Sequence, residues 1–236
     1  MKNKELLQEE EYITPYHHEV KENEYAGISY FSIIRIIIKI LKEINPKNLL
    51  DFGCGDGKLI YELNDNKTKL TGIDTSEKAI NFAKIFTPSA KFIAEDINKY
   101  KTKQKFDVIT SVEVLEHLQP NDLNKVINSL HNLLKKDGYF IITVPSNNIP
   151  RFEKHYQHFS INSMQNILGE KFKIIKSIGH YDISKTYELL YALSTNNYIS
   201  ITSKYYQKFL NRYFKNNIEK TKLNNCRRLI FICKKI

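Results

Sequence analysis

The stretch LLDFGCGDGKL, Leu49 to Leu59, constrains this chain more than any other. An apolar run ends in an acid, Asp51, and glycines follow at every second position, Gly53, Gly55 and Gly57. It reads as a buried strand that turns at once into a helix, because glycine lets the backbone turn tightly and approach a ligand closely. The same alternation recurs downstream. KLTGID (Lys69–Asp74) is the next strand and SEKAINFAKIF the next helix, with Ser76 as its N-cap. AKFIAEDI and KFDVIT are strands, DLNKVINSLHNLLKKDG is a long helix closed by Gly138, and YFIITVP is a fifth strand. KFKIIKSIG and RRLIFICKK follow as the sixth and seventh. Strands that alternate with helices need crossover connections, which predicts an α/β three-layer sandwich around a seven-stranded, mostly parallel sheet.

Two segments stand outside the alternation. Residues 1–46 read as an N-terminal helical cap, and residues 180–227 separate the last two strands by far more than a hairpin loop requires. This insertion holds Tyr181, Tyr187, Tyr191, Tyr198, Tyr205, Tyr206, Phe209, Tyr213 and Phe214. It is expected to be helical, covering the active-site rim or making a subunit contact. With 47–179 as the core and 228–236 as the last strand, residues 1–236 read as one domain, and 42% hydrophobic content suits a single core of that size.

The most apolar window, IIRIIIKILKEI (Ile33–Ile44), is too short to span a bilayer. It is either an amphipathic helix packed on the sheet or a membrane-surface helix. The charged start MKNKELLQEEEY shows no apolar signal region. Cys54, Cys226 and Cys233 form no C-x-x-C pair, which argues against a disulfide framework or zinc ribbon and for a reducing cytoplasm. The net charge is +10, and from Ile201 onward ten basic residues stand against one acid, Glu219. Such an end is either a face for nucleic acid or the solvated surface of a Lys-rich chain.

The loop spacing is G-x-G-x-G, with Lys58 where the nicotinamide fingerprint G-x-G-x-x-G needs its third glycine. Asp51 in the turn would repel a diphosphate but suits a ligand with a cationic amino-acid moiety. Asp74 ends the second strand, where a carboxylate can accept both hydroxyls of a ribose, and Asp96 ends the third, where an acceptor can meet an adenine amino group. LLDFGCGDG, GID, AEDI, FDVITSVEVLEHL and LLKKDGYFIITVP, in that order, resemble motif I, the ribose acid, the adenine segment, motif IV and the fifth-strand motif of the class I S-adenosylmethionine-dependent methyltransferases. The resemblance runs roughly from Lys47 to Gly179. It implies a Rossmann-like fold, with Asp51, Gly53 and Gly55 at the methionine end of the cofactor and Asp74 at the ribose. Asp96 and Ile97 would take the adenine, and Thr75 and Val112 would join the same site.

SVEVLEHL (Ser111–Leu118) sets Glu113, Glu116 and His117 just past the fourth strand. Methyl transfer from a sulfonium mainly needs an acceptor that is positioned and deprotonated, work for which His117 and Glu113 are the candidates. On a helix, spacing i, i+3, i+4 would bring the three onto neighbouring turns. Two carboxylates close together repel unless a proton or cation sits between them, and oxygen ligands with an imidazole suit Mg²⁺ or Mn²⁺. The segment resembles the E-x-x-E-H metal motif of small-RNA 3′-terminal 2′-O-methyltransferases, and a similar segment of ubiquinone-pathway O-methyltransferases. In the RNA family a later histidine, five residues before a helix-capping Thr, completes the metal site. Here His155 of KHYQHFS stands five before Ser160, and His158 does not match. The resemblance therefore implies Glu113, Glu116, His117 and His155 as ligands of a divalent cation. A metal-free base or substrate-binding cluster, and plain structural hydrogen bonding, are the other readings of these residues.

In small-molecule members of the family the N-terminal helices close over the acceptor. TPYHHE (Thr14–Glu19) then supplies Tyr16, His17 and His18 as substrate contacts, unless it is a surface turn begun by Pro15. The expected function is O- or N-methylation of a small polar acceptor, phosphorylated or sugar-linked, with S-adenosylmethionine and a Mn²⁺ or Mg²⁺ ion. An RNA 2′-O-methyltransferase, suggested by the basic C-terminal region, and an inactive cofactor-binding partner protein are the rivals. No membrane partner is expected, and the oligomeric state is left open.

Overall fold

The computed structural model describes residues 12–20, 25–63, 67–194, 201 and 203–236. Helices α1 (Tyr16–Glu19) and α2 (Tyr25–Ile44) precede β1 (Asn48–Phe52). Then come α3 (Lys58–Leu63), β2 (Lys69–Asp74), α4 (Glu77–Phe86), β3 (Lys91–Ala94), β4 (Phe106–Val112), α5 (Pro120–Leu133), β5 (Leu134–Pro145), α6 (Ile161–Leu168) and β6 (Phe172–Asp182). Helices α7 (Lys185–Ser194) and α8 (Lys204–Asn217) lead to β7 (Lys220–Thr221) and β8 (Cys226–Lys235).

Consecutive apolar pairs explain the layering, since neighbours on a strand face opposite sides. Leu49, Val108 and Ile141 carry Ile33, Ile34, Ile37 and Leu41 of α2 with Leu59 and Leu63 of α3. Their neighbours Leu50, Ile109 and Ile142 carry Leu123, Val126, Ile127 and Leu130 of α5 with Met164 and Leu168 of α6. Strands buried on both faces are what a parallel sheet between two helical layers requires. The Ile33–Ile44 window is thus a helix packed on the sheet, and no described helix is long and apolar enough to cross a membrane.

The described residues form an eight-stranded sheet in the order β3-β2-β1-β4-β5-β8-β6-β7. Strands β1 to β5 pair in parallel, and β8 lies antiparallel between β5 and β6. One strand more than expected is present. It is the two-residue β7 against Gly179 and His180, too short to leave an apolar pattern. The long helix also ends earlier than its apparent stop signal. It closes at Leu133 rather than Gly138, because Leu134 is buried opposite Phe106, and Asp137 makes the turn at φ 61°. Ser76 caps α4 as expected, accepting from the Ala79 amide at 3.2 Å.

The insertion is helical, starting after β6 ends at Asp182; Tyr198 lies outside the described residues. Tyr187, Leu210, Phe214 and Ile218 pack on Ile28 of α2. Strand β1 has β2 on one side and β4 on the other, so the chain reverses its direction of travel across the sheet there. At such a switch point the connections part beyond the C-terminal strand ends and leave a crevice.

Candidate active site

A cavity of about 880 Å³ fills that crevice. Its cofactor-loop wall is built by Asp51, Gly53, Gly55 and Asp74, continued by Thr75, Asp96, Ile97 and Val112. Every residue expected around the cofactor therefore faces one space. Gly53 and Gly55 take φ of 69° and 51°, in the left-handed region that glycine tolerates. A Cβ on Gly55 would lie 2.4 Å from the Tyr12 hydroxyl, and one on Gly53 2.4 Å from a Val114 methyl. The Gly55 amide donates to Asp74 Oδ2 at 2.8 Å and the Ser76 amide to Oδ1 at 3.0 Å, which orients the carboxylate at the end of β2. The Asn98 amide holds Asp96 Oδ1 at 2.8 Å.

Asp51 is buried beneath the loop and accepts from the Thr110 hydroxyl at 2.7 Å. Burial pushes its pKa up to about 7; the Thr110 bond opposes this and the charge of Asp74 adds to it. A carboxylate so placed is primed to gain from a cationic group.

The opposite wall holds the E-x-x-E-H segment, and here the geometry departs from the helical expectation. Glu113 sits at φ 55° in a turn, and only Leu115–His117 form a short 3₁₀ helix. The turn is over-determined, as a strained non-glycine position must be. The Glu113 amide donates to the Thr143 carbonyl at 3.0 Å, while Glu113 Oε1 accepts from the Thr143 hydroxyl at 3.0 Å. Its Oε2 accepts from Arg228 Nε at 2.9 Å. Glu113 faces the cavity, but its carboxylate is engaged by Arg228 and Thr143 and stays outside the cluster that the other three form.

Glu116, His117 and His155 each offer a ligand atom within 4.8 Å of the others. The Tyr156 amide donates to the Glu116 carbonyl at 2.8 Å, tying the β5–α6 loop to this wall. The His117 and His155 rings meet edge-on, centroids 4.8 Å apart. Glu116 is 1% exposed, and its Oε2 finds no hydrogen-bond partner among the described residues. Burial, then the charge of Glu113, raises its pKa well above the ordinary carboxylate value. A buried carboxylate oxygen without a donor needs a proton or a cation. This donor set of one carboxylate and two imidazoles fits a divalent ion, with nitrogen favouring Mn²⁺ over Mg²⁺. His158, the excluded histidine, lies behind: its Nε2 is 2.9 Å from His155 Nδ1.

Of the PYHH residues, Tyr16 and His17 line the cavity. The His17 amide donates to Asp56 Oδ2 at 2.8 Å, and His17 Nδ1 lies 3.1 Å from Oδ1. His18 does not line the cavity; it stacks on Phe86 with centroids 3.7 Å apart. His18 Nε2 lies 3.1 Å from the Asp56 carbonyl oxygen, so Asp56 meets both histidines while Phe86 takes the face of the His18 ring. Among the described residues the insertion after Asp182 adds nothing to the cavity wall, where a rim or a subunit contact was expected; Tyr187, Leu210 and Phe214 are used on α2 instead. Arg228, Tyr12 and Tyr30 also line the cavity and were missed, as was Asp56, which does not line it but holds the cavity-lining His17. Only Asp56, an acid between two loop glycines, carried a local signal.

The comparisons with known proteins bear on the family and the fold. A family model described as a methyltransferase domain matches residues 23–180. The ubiquinone biosynthesis O-methyltransferase of Pelagibacter ubique is 37% identical over 113 residues, 46% of this chain and 45% of that protein. Its counterpart in Glaesserella parasuis is 36% identical over 107 residues, 41% of this chain and 44% of that protein. The chain thus spans somewhat under half the length of these curated relatives. The solved N-methyltransferase NodS of Bradyrhizobium japonicum, in complex with S-adenosyl-L-homocysteine, superposes with a TM-score of 0.65 at 17% identity, covering 99% of this chain and 98% of that one. The magnesium protoporphyrin IX methyltransferase of Synechocystis, with S-adenosylmethionine bound, gives 0.65 at 15% identity over 100% and 98%. At such identities the likeness is one of fold. Since the family model covers more than half of the residues, and the glycine loop, switch point and strand-end acids lie inside it, the chain belongs to the methyltransferase-domain family, built on the class I S-adenosylmethionine-dependent methyltransferase fold.

Proposed function

We propose that this protein transfers a methyl group from S-adenosylmethionine to an oxygen or nitrogen of a small polar acceptor, beside a divalent cation held by Glu116, His117 and His155. The observation that carries the reading is the buried Glu116 carboxylate with its unpartnered Oε2, set against two imidazoles on the cavity that the cofactor loop also faces. S-adenosylmethionine, when bound, supplies a methyl group that is already activated. The cation, when bound, supplies a Lewis acid for an acceptor oxygen. In this reading Asp51 holds the cofactor's ammonium, Asp74 its ribose hydroxyls and Asp96 its adenine amino group. Tyr16 and His17 border the acceptor. Arg228 and Thr143 hold Glu113 in its turn, and His117 is the proton acceptor should the acceptor bind without metal. The bases of α8 that suggested RNA, Lys204, Lys208 and Arg212, lie off the cavity wall, which favours a small acceptor.

The test is a crystal structure grown with S-adenosylhomocysteine and Mn²⁺, with calorimetry of each ligand alone. Anomalous density between Glu116, His117 and His155 is the expected result. Cofactor density without a cation at saturating Mn²⁺ would reject the metal and leave the methyltransferase reading in place.

A further inference from the structure

The β5–α6 loop brings a second histidine against the cluster, and the protons between them can be assigned. Imidazole nitrogens donate or accept according to tautomer, whereas a carbonyl oxygen only accepts. His158 Nδ1 lies 3.3 Å from the Ile149 carbonyl oxygen, so the proton of a neutral His158 sits on Nδ1. Its Nε2 is then an acceptor, and the 2.9 Å contact to His155 Nδ1 requires His155 to donate there. A neutral imidazole carries one N–H. His155 Nε2 is therefore the nitrogen with the lone pair.

The ring of His158 is held for this task. Phe152 meets the His155 and His158 rings edge-on at 5.2 and 5.5 Å. The loop is pinned next to it, where Phe159 is buried and its amide donates to the Pro145 carbonyl at 3.0 Å. The Asn147 amide donates to the Phe159 carbonyl at 2.8 Å, closing the loop's two ends.

We propose that His158 is a positioning residue that fixes His155 as the Nδ1–H tautomer, so that His155 turns Nε2 toward Glu116 and His117. As a role in metal binding this rests on the proposed cation site, but the tautomer itself does not. The relay from the Ile149 carbonyl through His158 to His155 is the arrangement by which an outer hydrogen bond selects the ligating nitrogen.

Two measurements test it on the full chain at pH 8. Long-range ¹H–¹⁵N correlation spectra of metal-free, histidine-labelled protein should show His155 protonated at Nδ1; protonation at Nε2 would overturn the proposal. Mn²⁺ affinity, from the loss of the free-ion EPR signal, should fall about 10- to 100-fold in His158→Phe. In His158→Gln, whose amide oxygen can take the His155 proton, it should stay within about threefold of wild type, the ordinary scatter for a retained hydrogen bond. Unchanged affinity in His158→Phe overturns the positioning role. Equal losses in both variants do so as well, since His158 would then be a ligand itself. If wild type binds no Mn²⁺ yet shows the Nδ1–H form, which His158→Phe abolishes, the cation reading falls and the tautomer assignment stands.

Discussion

Asp51 at the end of β1 and Glu116 beyond β4 are both almost fully buried, at 3% and 1% exposure, on opposite walls of one cavity. Asp51 has an internal donor, the Thr110 hydroxyl at 2.7 Å, and its pKa rises only to about 7. Glu116 Oε2 has no donor among the described residues, and burial, then the charge of Glu113, raises its pKa well above the ordinary carboxylate value. Desolvation is common to both, so the difference lies in the partner that each wall leaves out. On the proposed reading the Asp51 wall takes the cofactor's ammonium, and the Glu116 wall takes a cation, beside which His117 and His155 stand.

The sharpest break in this comparison would come from exchanging the carboxylates for amides. Glu116→Gln should lower Mn²⁺ affinity by more than about a hundredfold, because it removes the only anionic member of the cluster, while S-adenosylhomocysteine affinity stays within about threefold. Equal Mn²⁺ binding by Asp51→Asn and Glu116→Gln would show that the walls do not differ in this way.

The next effect is on stability. Asp51 ionises near 3.8 in an unfolded chain and near 7 in the folded one. Between those values the folded state holds a proton that the unfolded state has lost, so stability falls as pH rises through that window and is fullest below it. Urea unfolding of the cofactor-free protein should show a loss on the order of 3 kcal/mol between pH 4 and pH 8 from this group, absent in Asp51→Asn. Parallel profiles for the two proteins would mean that Asp51 pays no burial penalty.

Asp74→Ala should weaken S-adenosylhomocysteine binding by about 1.5–3 kcal/mol, the range for charge-assisted hydrogen bonds. Mn²⁺ binding should be untouched, and calorimetry with each ligand separates the two. The smallest effect is expected at His18, which does not line the cavity: its ring stacks on Phe86 and meets Asp56 only at the backbone carbonyl. His18→Ala should leave S-adenosylhomocysteine affinity within about twofold, whereas His17→Ala, which loses the ring's contact with Asp56, should change it more. Equal effects of the two would place His18 back at the site.

The cofactor wall was legible in sequence and the acceptor wall only in part, for a local reason. Asp51, Asp74 and Asp96 stand at strand ends, and a strand end is announced by the apolar run before it and the glycine or turn after it. Spacing misled at Glu113, because E-x-x-E-H implies one helical face only if the residues are helical, and Glu113 sits at φ 55° before the turn begins. His155 could be paired with Glu116 only through a family pattern. The cap was half visible: Tyr16 and His17 reach the cavity, but nothing in TPYHHE tells His17 from His18, which part by one residue around a four-residue helix.

Alone, the sequence determined the α/β class, the strand–helix succession, the glycine turn and the acids that end strands, because each depends on periodicity or on a few adjacent residues. Only the tertiary structure decided which carboxylate joins the imidazoles. Glu113 is taken by Arg228, 115 residues away, because β8 inserts antiparallel between β5 and β6 and carries the guanidinium to the cavity edge. Glu116 is left to His117 and His155 because the β5–α6 loop folds back and bonds its carbonyl. Strand order and loop return are set by the burial of the whole sheet, and no window of the sequence contains that sum.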